Sequence, residues 1–248
     1  MSENPAPESS TPTSSARLFV EAALGQDVVV TLPGPASHYL SGVMRLGVGD
    51  TVRLFDDRSG EWLARLVTVG RKAVGVVCEA RLRERETVPD LWLCAAPLKR
   101  GRIDWLAEKA CELGVARLVP VTTRRTVVDK LNLDRLRAHM IEAAEQCGRT
   151  ALPELGEPVT LAMLLRDWPA GRTLVFADET GGISLVQAAK PGPAGILIGP
   201  EGGFTPDERT AIRAVPGAIG VSLGPRILRA DTAAAVAVGV WQALAGDW

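Results

Sequence analysis

The densest chemistry in the chain lies between Gly195 and Glu208. Gly199, Gly202 and Gly203 permit backbone angles closed to other residues, and they leave bare amides against which a ligand can lie. Ile196 to Ile198 precede them as a short continuous apolar run, which suits a buried strand of a parallel sheet. Thr205, Pro206 and Glu208 follow as an N-cap, a first helical residue and the glutamate of a capping box, a cap worth about 1 kcal/mol. Strand, glycine loop and helix start together make a cofactor cradle; the same three parts also make a tight structural turn. Neither the P-loop pattern nor the dinucleotide fingerprint is present. Glu201 stands where a phosphate would want a cation, so the expected ligand is poor in phosphate.

The elements around this loop follow from bulk properties and pattern. A chain of 248 residues is long enough for one or two domains with an ample core. Cys78, Cys94, Cys111 and Cys147 lie far apart with no Cys-x-x-Cys pair, which reads as reduced thiols in a cytoplasmic protein. His38 and His139 are the only histidines, so neither a histidine-built metal site nor a triad is expected, and no metal is assigned. The net charge of −1 gives no global nucleic-acid signal, and any such affinity must come from a local patch. Arginine dominates the basic side, which suits bidentate phosphate contacts and stacking on bases, although genomic base composition gives the same bias. Met1 to Ala16 lacks the basic start and apolar stretch of a secretory signal, and Ala233 to Trp241 is too short to span a bilayer, so no membrane partner is expected.

Residues 1–16, rich in Ser, Thr, Pro, Glu and Ala, read as a disordered tail. From Arg17 to Glu86 the pattern is short strands at 17–20, 28–32, 51–55, 61–69 and 73–80, with hairpin signals at 56–60 and 70–72. A helix at 37–45 interrupts them, and the whole reads as a small β-barrel domain. The charged run Arg81 to Glu86, followed by Pro89, marks a boundary that reads as a solvated linker. Beyond it, strand-like segments at 91–96, 116–121, 173–177, 195–198 and 218–223 alternate with helical ones, which predicts an α/β domain over 90–248 with a mainly parallel sheet. Gly114 is placed to end a helix carrying Ile103, Leu106, Ala110 and Leu113, and Asn132 to cap one running to about Cys147. Ala233 to Trp241 carries no polar side chain. A helix apolar all round must be buried all round, which predicts a second subunit and a homodimer.

Five motifs occur in order: Leu98-Lys99-Arg100-Gly101-Arg102-Ile103-Asp104, Lys109-Ala110-Cys111-Glu112-Leu113-Gly114-Val115, Glu145-Gln146-Cys147-Gly148-Arg149, Ile198 to Phe204, and Ser222 to Arg229. They resemble the bacterial 16S ribosomal RNA uridine-N3 methyltransferases, a family of the SPOUT class. The likeness covers residues 17–248, including His38 and the stretch from Val43-Met44-Arg45-Leu46 to Gly49-Asp50.

The resemblance implies a PUA-like RNA-binding β-barrel over 17–86 and a methyltransferase domain with a deep trefoil knot over 90–248, working as a dimer. It implies S-adenosyl-L-methionine as cofactor, held by the end of the strand at Ala177-Asp178-Glu179, by Gly199 to Gly203, and by Leu223-Gly224 through Leu228. The cofactor residues carried over are Glu179, Gly199, Pro200, Glu201, Gly202, Gly203, Leu223, Gly224, Ile227, Leu228 and Thr232. Arg149 and Arg229 are the candidate catalytic cations, acting toward the base oxygens or its phosphate. Asp231 or Glu145 is a candidate proton acceptor, with solvent as the other. The family usually reads Leu-Arg-x-Glu-Thr-Ala where this chain has Leu228-Arg229-Ala230-Asp231-Thr232-Ala233; aspartate keeps the charge, shortens the reach and remains a good N-cap. RNA contacts fall to Arg17, Arg45, Lys99, Arg100 and Arg102, with Arg124-Arg125 as a further pair. The expected partner is 16S ribosomal RNA or the small subunit. Two rivals are a non-catalytic ribosome-assembly factor that kept the fold, and a related enzyme for another RNA position.

Overall fold

A computed structural model describes residues 16–70, 72–128 and 130–248. They fall into two units, one ending at Arg85 and one running from Glu86 to Trp248. Most of the expected tail lies outside the described residues. Ala16 does not behave as tail: it is buried, and its carbonyl accepts the N–H of Arg53 at 2.8 Å.

The first unit is a five-stranded sheet in the order β1-β3-β4-β5-β2, with β1 Arg17–Phe19, β2 Val29–Pro33, β3 Thr51–Phe55, β4 Glu61–Val69 and β5 Ala73–Arg83. β1 lies parallel to β3 and the other pairings are antiparallel. All five strands turn alternate residues into one core, among them Leu18, Leu32, Leu54, Leu66 and Val76. The expected helix at 37–45 starts earlier, as α1 Gly34–His38, and continues as a π turn over Tyr39–Val43. Pro35 explains the early start, because its fixed φ suits a first turn. The charged run is not a free linker. Arg81 to Arg83 belong to β5, Arg83 pairs with Glu61, and Arg85 pairs with Asp57 at 3.1 Å.

In the second unit the elements run β6 Leu91–Ala95, α2 Arg102–Glu112, β7 Arg117–Thr122, α3 Leu133–Cys147, β8 Glu154–Leu155, β9 Val159–Thr160, α4 Leu161–Arg166, β10 Thr173–Ala177, β11 Ile183–Ser184, α5 Leu185–Ala188, β12 Ala194–Ile198, α6 Pro206–Arg213, β13 Ile219–Ser222 and α7 Ala230–Ala245. The sheet order is β11-β13-β10-β12-β6-β7-β8, with β9 also on β7, and every pairing is parallel. β12 is buried along its whole length, as a central parallel strand must be. Asn132 accepts the N–H of Arg135 at 2.9 Å and starts α3, and Gly114, at φ 78°, ends the turn after α2.

α7 covers the sheet with Ala233, Ala234, Ala237, Val238 and Trp241, and Gln242 on the same face is fully buried. Its amide donates to the carbonyl of Leu113 at 2.8 Å, which supplies a partner at the carbonyl end of α2. Val236, on the other side of α7, and Leu244, near its end, are exposed in the single chain.

Candidate functional site

The carboxyl ends of β10, β12 and β13 open into one cleft of 550 Å³. The chain steps from β10 to β12 on one side and then to β13 on the other side of β10. Ligands of open α/β sheets collect at such a reversal, beyond the carboxyl ends of the strands.

Three loops build the walls. The first follows β10: Asp178 is 4% exposed, its Oδ1 accepts the N–H and hydroxyl of Thr180 at 3.0 and 2.7 Å, and its Oδ2 pairs closely with Arg213 of α6. The second is the glycine loop. Gly203 N–H donates to the Pro200 carbonyl at 2.8 Å, closing a four-residue turn. Gly203 sits at φ 67°, and a Cβ there would stand 2.4 Å from Oε1 of Glu179. Only glycine allows both that backbone angle and that approach. Phe204, 1% exposed, lies under the loop edge-on to Phe176 at 6.5 Å. The capping box is present: Glu208 N–H reaches Thr205 Oγ1 at 3.3 Å, and Thr205 N–H reaches Glu208 Oε2 at 2.8 Å. The third wall is Val221 through Ala230, with Ala233 behind it.

Ten of the eleven cofactor residues read from the sequence line this cleft: Glu179, Gly199 to Gly203, Leu223, Gly224, Ile227 and Leu228. Thr232 does not. Ala230 and Ala233, three apart on α7, face the cleft, and the helical period turns Thr232 outward. Arg229 lines the cleft as the N-cap residue of α7 and has no ion pair among the described residues. Asp231, next to the lining residue Ala230, does not itself line the cleft. It is the second helical residue of α7, not the N-cap; it accepts the Thr232 N–H at 2.8 Å and approaches Arg102 at 3.8 Å.

Arg149 is placed elsewhere. It is 5% exposed, and its guanidinium donates to the carbonyls of Cys111 and Val115 at 2.7 Å each, with Glu86 at 3.6 Å. Cys111 lies in the last turn of α2 and Val115 in the segment leading to β7, so Arg149 ties the end of that helix to the following strand from inside the chain. Arg17 is also buried. It is 8% exposed, stacked 3.8 Å over Phe55 and 3.3 Å from the buried carboxylate of Glu61, with no open face for an RNA strand. Burial holds its pKa below the ordinary value, against the opposing pull of Glu61. Arg45, Lys99 and Arg100 are exposed, and Arg102 is half-exposed.

Sequence reading passed over Arg213 and Arg209, named Asp178 only as part of a loop, and read Arg125 only as a further RNA contact. Asp178 was signalled by its place just after a buried strand. The others reach the cleft only through the fold: Arg209 binds Glu179 at 2.7 Å from α6, and Arg125 binds Gly202 from the loop after β7. The remaining polar groups offer no metal cluster among the described residues. Cys94 is fully buried, which pushes its thiol up to about 12 and leaves it inert.

A parallel α/β unit with a glycine-walled cleft, in a chain that also carries a five-stranded unit, defines a class. A family profile described as an RNA methyltransferase domain matches residues 84–242, and one described as an RNA methyltransferase PUA domain matches residues 32–78. The chain belongs to this RNA methyltransferase family. Within it, the similar proteins share a particular name, Ribosomal RNA small subunit methyltransferase E. That of Synechocystis is 31% identical over 92% of this chain and 77% of its own length, and that of Rickettsia conorii is 29% identical over 90% and 93%. A crystal structure of the Neisseria gonorrhoeae protein of this name, bound to S-adenosyl methionine, matches with a TM-score of 0.87 and 26% identity, covering 95% of this chain and all of that one.

Proposed function

We propose that this protein is an S-adenosylmethionine-dependent methyltransferase acting on N3 of one uridine of 16S ribosomal RNA. The observation that carries the reading is the meeting of three strand-end loops at one cleft with bare glycine amides and no phosphate-binding pattern. The residues fit the donor: Glu179 and Glu201 suit a cation, while Ile198, Leu223 and Leu228 offer apolar walls. The Neisseria relative, similar over nearly the whole chain, carries this cofactor.

When bound, the donor would supply a sulfonium methyl group for in-line transfer to N3, its sulfur leaving as a neutral thioether. Most of the catalysis then lies in orientation. Arg229 at the cleft rim stabilises the negative charge that develops on the imide as N3 loses its proton. The proton passes to solvent. Arg45, Lys99, Arg100 and Arg102 supply the local cations for RNA, which gives binding a steep salt dependence. The trefoil knot, the homodimer and a cytoplasmic location belong to the same reading; the exposed Val236 and Leu244 of α7 support a second subunit.

Calorimetric titration of the protein with S-adenosylmethionine tests it. Saturable one-site binding is expected, and absence of binding favours a non-catalytic assembly factor.

A further inference from the structure

The peptide between Gly202 and Gly203 has glycine on both sides, so no side chain restrains its rotation. Both of its polar atoms are nonetheless tied. Its N–H belongs to Gly203 and reaches the Pro200 carbonyl at 2.8 Å. Its carbonyl belongs to Gly202 and accepts a hydrogen bond of 2.5 Å from Nη1 of Arg125. Because a peptide is planar, fixing both ends fixes the plane.

Arg125 is shaped to this contact. A Cβ on Gly202 would stand 3.2 Å from Cδ and 3.4 Å from Cβ of Arg125, so the arginine stem lies flat against the bare glycine. The segment that carries it is also fixed. Thr123 N–H donates to Thr126 Oγ1 at 2.8 Å, and Arg124 N–H donates to Oε1 of Glu208 at 2.8 Å. The other oxygen of Glu208 holds Thr205, so the loop after β7 grips the glycine loop at Gly202 and again at the start of α6.

We propose that Arg125 is a positioning residue of the cofactor loop, locking the Gly202–Gly203 peptide in the orientation that the loop presents to the cofactor. The inference rests on the cleft being the S-adenosylmethionine site. It separates Arg125 from a residue that merely meets RNA, because its effect on the cofactor needs no RNA.

The test is calorimetric titration of S-adenosylmethionine into the full-length wild type, Arg125→Ala and Arg125→Lys, without RNA. A charge-assisted bond of this kind predicts a Kd raised about tenfold in Arg125→Ala. Arg125→Lys, which keeps a cationic donor, recovers part of that loss. Equal Kd values for all three proteins would overturn the inference while leaving the cofactor reading intact. Binding by none of them would sink the cofactor reading, and the inference with it.

Discussion

Asp231 in the first turn of α7 holds two groups at once: Oδ1 accepts the N–H of Thr232 at 2.8 Å, and Oδ2 lies 3.8 Å from Nε of Arg102 in the first turn of α2. Asp231 itself is not part of the cleft lining. A carboxylate placed this way ties two helix starts together. The gap to Arg102 is wider than a hydrogen bond, and glutamate, the family's usual residue here, is one methylene longer.

Turnover should therefore survive loss of this charge. Asp231→Asn is expected to keep kcat within about tenfold, whereas removal of an essential general base costs about 100-fold or more. Asp231→Glu is expected to match the wild type in kcat and in thermal midpoint, since a half-exposed ion pair is worth about 0.5 kcal/mol. A hundredfold loss in Asp231→Asn with normal folding would return Asp231 to the chemistry.

Arg149 should matter to stability before it matters to rate. Arg149→Ala takes the guanidinium from the Val115 carbonyl, leaves that of Cys111 with the Gly114 N–H alone, and leaves Glu86 without this cation. The expected loss is about 3 kcal/mol, read as a lower urea midpoint. Arg149→Lys should rescue little, because an ammonium cannot span two carbonyls as the planar fork does. A variant of wild-type stability that has lost only turnover would reverse this assignment.

Much of this site was legible in the sequence, and the misses share a physical cause. The turn of the glycine loop, the capping box and β12 are local, set by residues close together in the chain, and the structure has each of them at the expected residues. The burial of Arg149 and Arg17 was not legible, because a motif position says that an arginine is needed, not whether it faces a ligand or the protein interior. Arg125 was legible only as a charge. Its bond to Gly202 joins segments 77 residues apart and exists only once β7 and β12 lie in one sheet. Thr232 was lost to the helical period, which a motif string does not carry.

In the first unit, acid stability should depend on Asp56. Burial pushes its pKa up, but the N–H groups of Ser59, Leu24 and Arg58, at 2.7, 3.0 and 3.0 Å, outweigh that and leave it lowered from 3.8. A folded pKa below the unfolded one means stability fully present above about pH 4 and lost as pH falls through the folded value. Urea unfolding of the wild type and Asp56→Ala should differ by a constant amount, about 2 kcal/mol, at neutral pH, and the difference should shrink below pH 4. Curves that stay parallel down to pH 2 would show that the charge of Asp56 is not what holds this turn.

Arg45 sits at φ 58°, where Leu46 N–H closes back onto the Leu40 carbonyl at 2.9 Å. This is the left-handed position that ends a helix and that glycine takes without strain. Arg45→Gly should raise stability by about 1 kcal/mol while weakening RNA binding and flattening its salt dependence. A stabilised variant with unchanged RNA affinity would remove Arg45 from the RNA surface.

The central claim is tested most directly by mass mapping of modified nucleosides in 16S ribosomal RNA from a strain lacking this gene. Loss of 3-methyluridine at a single position, restored by the intact gene, is expected. An unchanged 3-methyluridine content, or loss of a different modified nucleoside, would contradict it.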